Sequence, residues 1–306
     1  MEAPAVAGQV PVPPEVLTLL RNEGMGNIAT IDTLAGGMIS LARRVQGQHG
    51  SVIVKQCVSR SLPTGLYELE ALGLQTMAAA PGGPRVPRVI AVADTWIVLE
   101  DCGTAIDQAS PTDKAWENFG RSLAAMHACT APRFGFSRDN YLGVIAQNNE
   151  WTDDGVSQWV DRRVLHYLDM PLFQQWTTTQ DRAALQCYAD VARREIPPQP
   201  PSLLHGDLWH ANVLTLPGGN ALAMIDPAVY YGLAESEISL TQQWGHFPER
   251  FLAAYNEARP LPDGWRQRLE IYYIAQIVGI IAHVGNQWDM VNEMRKHLQK
   301  FIGQYS

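Results

Sequence analysis

"LLHGDLWHANVL", Leu203 to Leu214, decides how this chain is read. It sets two histidines, an aspartate and an asparagine inside an apolar run, just after the proline-rich "PPQPP". Buried without partners, so many polar groups would be costly. They must be metal ligands, a catalytic loop or a satisfied turn. Asp207 and Asn212 are spaced Asp-x-x-x-x-Asn, and His205 stands two residues before the aspartate. A loop of this length can turn both side chains toward one reacting group.

Composition narrows the choice. The chain has 306 residues, 46% hydrophobic and 18% charged, enough for one large or two ordinary domains. Its formal net charge of -8 argues against a general nucleic-acid or anionic-membrane binder, which would carry a basic face. A local site for an anionic small ligand stays possible. The opening "MEAPAVAGQVPVPP" has no basic residue before Arg21 and no leader-like apolar core. Residues 1–12 are expected to be a disordered tail. The longest apolar run, "IYYIAQIVGIIAHVG" (Ile271 to Gly285), is interrupted by Gln276 and too short for a membrane span. It reads as a buried helix. Cys57, Cys102, Cys129 and Cys187 form no C-x-x-C pair, which fits buried thiols in a reducing, cytoplasmic compartment.

Working outward, the first third alternates like a sheet. "NIATIDTLAGG", "MISLARRV" and "SVIVKQCV" read as three strands, "TGLYELEALGLQTMA" as a helix after Pro63, and "VPRVIAVADTWIVLED" as two strands around a turn. From Asp101 the texture becomes helical. "SPTDKAWENFGRSLAAMH" opens with Ser110, Pro111 and Asp113, a capping-box-like start with proline at the first helical position. Further helical patterns cover 152–168, 180–194, 248–258 and 264–301, and "NALAMIDPAVYYG" reads as turn, short strand, turn. The expected fold class is α+β with two lobes. A small antiparallel-sheet lobe with one helix spans 13–101, and a larger, mainly helical lobe spans 102–306.

Four separated elements carry chemistry. The Gly36-Gly37 pair between two strands lets backbone amides approach a phosphate, although an isolated glycine pair is more often a plain hairpin. Lys55 sits inside an apolar strand, where lysine is rare without a partner. Its ammonium points either to nucleotide phosphates or to solvent. Glu70 in the next helix is its natural partner, with Glu68 the alternative on another helix side. The Asp207/Asn212 spacing matches the catalytic loop of protein kinases, where the aspartate takes the acceptor hydroxyl proton and the asparagine binds a metal. Asp226 ends a short apolar strand before a proline, the place of a kinase's metal-binding aspartate. Together Asn212 and Asp226 supply the hard oxygen ligands that Mg²⁺ prefers. The order of these elements is that of a kinase.

At these residues the chain resembles the fructosamine kinase (ketosamine-3-kinase) family, a branch of the aminoglycoside-phosphotransferase-like, protein-kinase-like fold. "LLHGDLWHAN" is similar to the family's HGDLW-x-x-N loop, and "IDPAVYYG" followed by "ESE" to its next motif. "YELEALGL" resembles the family's Glu-Ala-x-Gly-Leu helix, favouring Glu70 over Glu68. The likeness runs from about Ala35 to Gly285. It implies phosphoryl transfer from ATP, with Mg²⁺, to the 3-hydroxyl of a free or protein-bound ketosamine, and thereby deglycation. Asp207 would be the catalytic residue. Gly36, Gly37, Lys55, Glu70 and Glu100 would serve the nucleotide, and Asn212 and Asp226 the metal. Trp209, His210 and Tyr231 are substrate-side candidates, with packing the competing reading for the two aromatics. The chain departs from the family at Met38, where a cysteine is frequent, at His210-Ala211, where a smaller pair is usual, and at "ESEISL".

Two other classes compete. A zinc hydrolase would use His205, Asp207 and His210, but no further histidines stand at ligand spacing. A non-catalytic nucleotide-binding module would not need all the catalytic residue types. Nearer still is a kinase for an aminoglycoside or an amino alcohol such as choline.

Overall fold

The computed structural model of the protein describes residues 10–34, 40–57 and 63–305. The expected glycine turn, Gly36-Gly37 with Met38, lies outside them. A short helix, α1 (Pro14–Leu20), precedes strands β1 (Ile28–Thr33), β2 (Ser40–Gly47) and β3 (Gly50–Cys57). Helix α2 (Leu66–Ala78) and strands β4 (Val89–Ala93) and β5 (Trp96–Glu100) complete the small lobe. The strands form one antiparallel sheet in the order β1-β2-β3-β5-β4.

Strand alternation sorts this sheet's two faces. Val52, Val54, Trp96 and Val98 face one way and pack under α1 with Val12, Val16, Leu20 and Met25. Ile97 and Leu99 face the other way and join Tyr67, Leu74 and Met77 of α2. Lys55, one residue from Val54, therefore lies on the α2 side. Helix α1 was not foreseen, and residues 10–12 correct the disordered-tail expectation. Val12 is 4% exposed, the Val10 carbonyl accepts from Arg43, and the Pro11 carbonyl accepts from Gln56.

After Glu100 the chain crosses to the large lobe. Asp101 is tied back to the sheet by Arg44 (2.6 Å) and Ser51 (2.7 Å). Strand β6 (Thr104–Ala105) already pairs with the strand that follows the quoted loop. Helix α3 (Asp113–His127) starts two residues later than expected. Thr112, not Ser110, is its cap, accepting from the Ala115 amide at 3.2 Å.

A hairpin of β7 (Asn140–Leu142) and β8 (Ile145–Gln147) follows, then α4 (Gly155–Arg163), α5 (Pro171–Trp176) and α6 (Thr179–Glu195). Strands β9 (Ser202–Leu204), β10 (Val213–Thr215), β11 (Leu222–Met224) and β12 (Tyr230–Gly232) frame the quoted loop. Helices α7 (Ala234–Gln243), α8 (Glu249–Ala258), α9 (Trp265–Val284) and α10 (Met290–Tyr305) close the lobe. Helices α5 and α7 had no clear sequence signal. The segment read as a turn at Tyr230 is a strand paired with β9.

The pattern over 264–301 is two helices, broken at Gly285. The apolar run is the buried part of α9, with Ile271, Ile274, Ile277, Val278 and Ile281 in the large lobe's core. Among the described residues no helix is long and apolar enough to cross a membrane. No disulfide joins any of the four cysteines. Against the expectation of buried thiols, only Cys102 is fully buried and Cys187 is exposed.

Candidate active site

The site is built on a three-residue ladder. β10 and β11 pair with Val213 opposite Met224, so Asn212 and Ile225 face each other, joined by Ile225 N–H to Asn212 O at 3.0 Å. That register brings Asn212 beside Asp226, although 14 positions separate them in sequence. Leu203, Leu204, Leu208, Val213 and Met224 anchor both ends of the loop in the core. The apolar flanks of the quoted motif are thus its foundation.

Between β9 and β10 the loop is held by paired polar groups. His205 is fully buried. Its Nδ1 accepts from the Asp207 amide (3.2 Å), and its Nε2 donates to the Ile225 carbonyl (2.8 Å). With a carbonyl at Nε2, the proton must sit there, and burial lowers the pKa of the ring. Both ring nitrogens are therefore committed, and His205 is scaffold. Gly206 has φ +85°, and a Cβ there would meet the Ala228 carbonyl at 2.1 Å. Only glycine allows the two loops this approach.

Glu237 of α7 was not foreseen as part of the site. Its carboxylate accepts from the backbone amides of His205 (3.1 Å) and Gly206 (2.7 Å) and from His127 Nε2 (2.9 Å). Burial alone would raise its pKa. The hydrogen bond from His127, helped by the Gly206 amide, instead holds it below the usual carboxylate range. Nδ1 of His127 then accepts from Tyr255 Oη at 2.8 Å. An ionised carboxylate is thus clamped under the loop two residues before Asp207.

Asp207 is held from within its own loop. Asn212 Nδ2 donates to its carbonyl (2.7 Å) and to its Oδ2 (2.9 Å), and the Trp209 indole also hydrogen-bonds its side chain. Trp209 thereby orients the aspartate. Burial is the largest influence on this carboxyl and, helped by the negative charges of Asp226 and Glu237, pushes its pKa up to about 7. Donating through its nitrogen, the Asn212 amide leaves its Oδ1 oxygen for a cation.

On the opposite wall, Lys55 Nζ bonds Glu70 Oε1 at 2.6 Å and also Asp226 Oδ1. Glu68 is exposed. Burial opposes the Lys55 charge, but the two carboxylates outweigh it and hold its pKa above the ordinary value. Asp226 has φ +58°, a left-handed turn before Pro227 that aspartate tolerates better than most residues. Its side chain is 42% exposed, open to a second partner. Asp226 and Asn212 Oδ1 are hard oxygen donors of the kind Mg²⁺ takes one or two of from a protein.

The remaining candidates divide. Glu100 is turned outward, onto Arg85 and the Arg88 amide (3.1 Å), and does not join the Lys55 cluster. His210 donates from Nδ1 to the Trp244 carbonyl (3.1 Å) and stands edge-on to Trp209 (4.9 Å). Tyr231 lies against Trp151, its ring 6.1 Å away. The zinc arrangement is not assembled, because His205 has no lone pair to spare. Among the described residues no group of three histidine, cysteine or acidic side chains is placed to hold a metal.

Residues 16–303 match the model of the fructosamine kinase family. A Thermus thermophilus protein named a probable ketoamine kinase is 32% identical over 272 residues, 88% of this chain and 92% of its own. The chloroplastic protein-ribulosamine 3-kinase of Arabidopsis thaliana is 30% identical over 262 residues, 81% of this chain and 75% of its own. A solved Thermobifida fusca structure assigned to the fructosamine-3-kinases superposes with a TM-score of 0.82 at 27% identity, covering 94% of this chain and 100% of that one. An aminoglycoside phosphotransferase (TM-score 0.64, 16% identity, 95% and 99% covered) shares the fold. The kinase order of lysine, glutamate, Asp/Asn loop and strand-end aspartate, the ladder that gathers them and these likenesses together place the chain in the fructosamine kinase family.

Proposed function

We propose that this protein is an ATP-dependent kinase of ketosamines, phosphorylating the sugar 3-hydroxyl. One observation carries the reading: Lys55, Glu70, Asp226, Asn212 and Asp207 converge from four segments onto one cleft. In the reaction the 3-hydroxyl oxygen forms a bond to the γ-phosphorus and the bond from that phosphorus to the β-bridging oxygen breaks. The hydroxyl proton passes to Asp207, which must be ionised to take it. Lys55, held by Glu70, meets the phosphates. Asn212 and Asp226 would hold Mg²⁺, which supplies charge neutralisation on the phosphate oxygens. Positioning and electrostatics supply most of the catalysis in such transfers. The 3-phosphate product then breaks down and frees the amine. Trp209 and His210 would line the acceptor side, and cysteines that form no disulfide support a reducing, cytoplasmic setting.

The test is a panel of acceptors with Mg-ATP: glycated lysine, a ribulosamine, an aminoglycoside and choline. Turnover is expected for a ketosamine. No turnover of any ketosamine overturns the proposal, and turnover of choline or the aminoglycoside alone replaces it. Asp207→Asn should abolish transfer while ATP still binds; an active variant removes the base role.

A further inference from the structure

Beyond the cleft, the break between α9 and α10 forms a hollow of about 390 Å³ walled by Tyr273, Trp288, Asp289 and Glu293. Trp288 is 71% exposed, more than any other large apolar side chain among the described residues. It and Asp289 both have left-handed backbones (φ 54° and 58°), a conformation unfavourable for a bulky aromatic residue. Met290 then starts α10, so the strained pair holds an indole beside the first turn of a helix. Asn292 Nδ2 donates to both Asp289 oxygens at 3.0 Å, fixing that carboxylate without neutralising it. Lys296 lies on the rim 3.5 Å from Glu293, and His297 Nε2 bonds the same carboxylate at 2.8 Å, so Asp289 is the carboxylate left to a ligand's cation and Glu293 adds charge beside it.

Two aromatic walls and two carboxylates suit an alkylammonium or guanidinium group, which binds aromatic faces and anions alike. The hollow also adjoins the acceptor side. His210 bonds the Trp244 carbonyl at 3.1 Å, the Trp244 ring lies 5.9 Å from that of Tyr273, and Tyr273 is the inner wall. A polypeptide covers a few such side-chain layers with about four extended residues at ~3.3 Å each. The net charge of -8 favours a cationic partner.

Resting on the kinase reading above, we propose that this hollow binds a second, cationic side chain of a polypeptide acceptor. That side chain is a lysine or arginine about four residues from the glycated one. The hollow makes the enzyme prefer ketosamines carried on basic segments.

The test compares glycated heptapeptides with lysine, alanine or glutamate four residues from the modified lysine, alongside a free ketosamine amino acid. The full chain should show a KM about three- to fivefold lower for the lysine peptide than for the alanine peptide. Trp288→Asn, which suits a left-handed backbone, and Glu293→Gln should each erase that difference. Both should leave kcat and the KM of the free ketosamine unchanged. Equal KM values for the three peptides in the wild type, or a preference that survives both substitutions, overturns the proposal. If no ketosamine is turned over, the kinase reading fails instead. Titration of the unmodified lysine peptide then decides the hollow: binding lost in Trp288→Asn supports it, and no binding or unchanged binding refutes it.

Discussion

Asp207 joins catalysis to stability. Its pKa of about 7, raised mainly by burial, lies well above the ~3.9 of an unfolded aspartate. Between those values the folded chain holds a proton that the unfolded chain has lost, so stability falls as pH rises through this window. Asp207→Asn removes the titration. The melting temperature of that variant relative to wild type should therefore climb from pH 4 to pH 7 by about 2 °C or more and then level off. Scanning calorimetry across pH checks this, and a flat difference would mean an ordinary carboxyl. Activity has the opposite sign: kcat/KM of the wild type should decline below about pH 7 as the base protonates. The residues themselves were legible from sequence, because lysine in an apolar strand and an Asp-x-x-x-x-Asn loop are locally unusual. The ionisation of Asp207 was not, since it depends first on burial and then on Asp226 and Glu237, which reach Asp207 only through the fold.

At the scale of elements, α7 is the support of the loop that carries Asp207 and Asn212. Its Glu237 satisfies two loop amides and a buried histidine at once. Removing one partner of such a network leaves buried donors unpaired. Glu237→Ala should lower kcat about 10²-fold, as expected for a shift of the loop by a fraction of an ångström to an ångström. The KM for ATP should stay within about threefold, because Lys55 and Glu70 belong to the other lobe. Glu237→Gln keeps one acceptor oxygen and should fall between the two. Steady-state kinetics with both substrates separates these cases, and a parallel rise in the KM for ATP would show general unfolding instead. Sequence quoted "ESE" only as an acidic run, because no local pattern says which carboxylate turns inward. Helix α5 was missed for a similar reason: at six residues, its identity is set by tertiary packing.

At the scale of the molecule, the two-lobed plan was readable because sheet and helix periodicities change sharply near Asp101. The chain's beginning was not readable. Its prolines suggested disorder, yet Val12, Val16 and Leu20 cover the outer face of the sheet. Each such side chain contributes about 1.5–3 kcal/mol when buried. Deleting residues 1–20 should therefore lower the melting temperature by about 5 °C or more. It should also uncover Val45, Val52, Val54 and Val98 and promote aggregation. Thermal melts and light scattering on the shortened chain test this, and an unchanged melt would show that α1 only rests on the sheet.

The short ladder of β10 and β11 has a wider meaning for how this protein can vary. The turn between those strands, Leu216 to Ala221, lies at the far end of the ladder from Asn212 and Asp226. Residues can be added to or lost from it while Val213 stays opposite Met224. A slip of a single position along the ladder moves Asp226 away from Asn212 and reverses which side chains face the core. Length in this hairpin is therefore held only by the Thr112 amide on the Gly219 carbonyl, whereas its phase is held by the site itself.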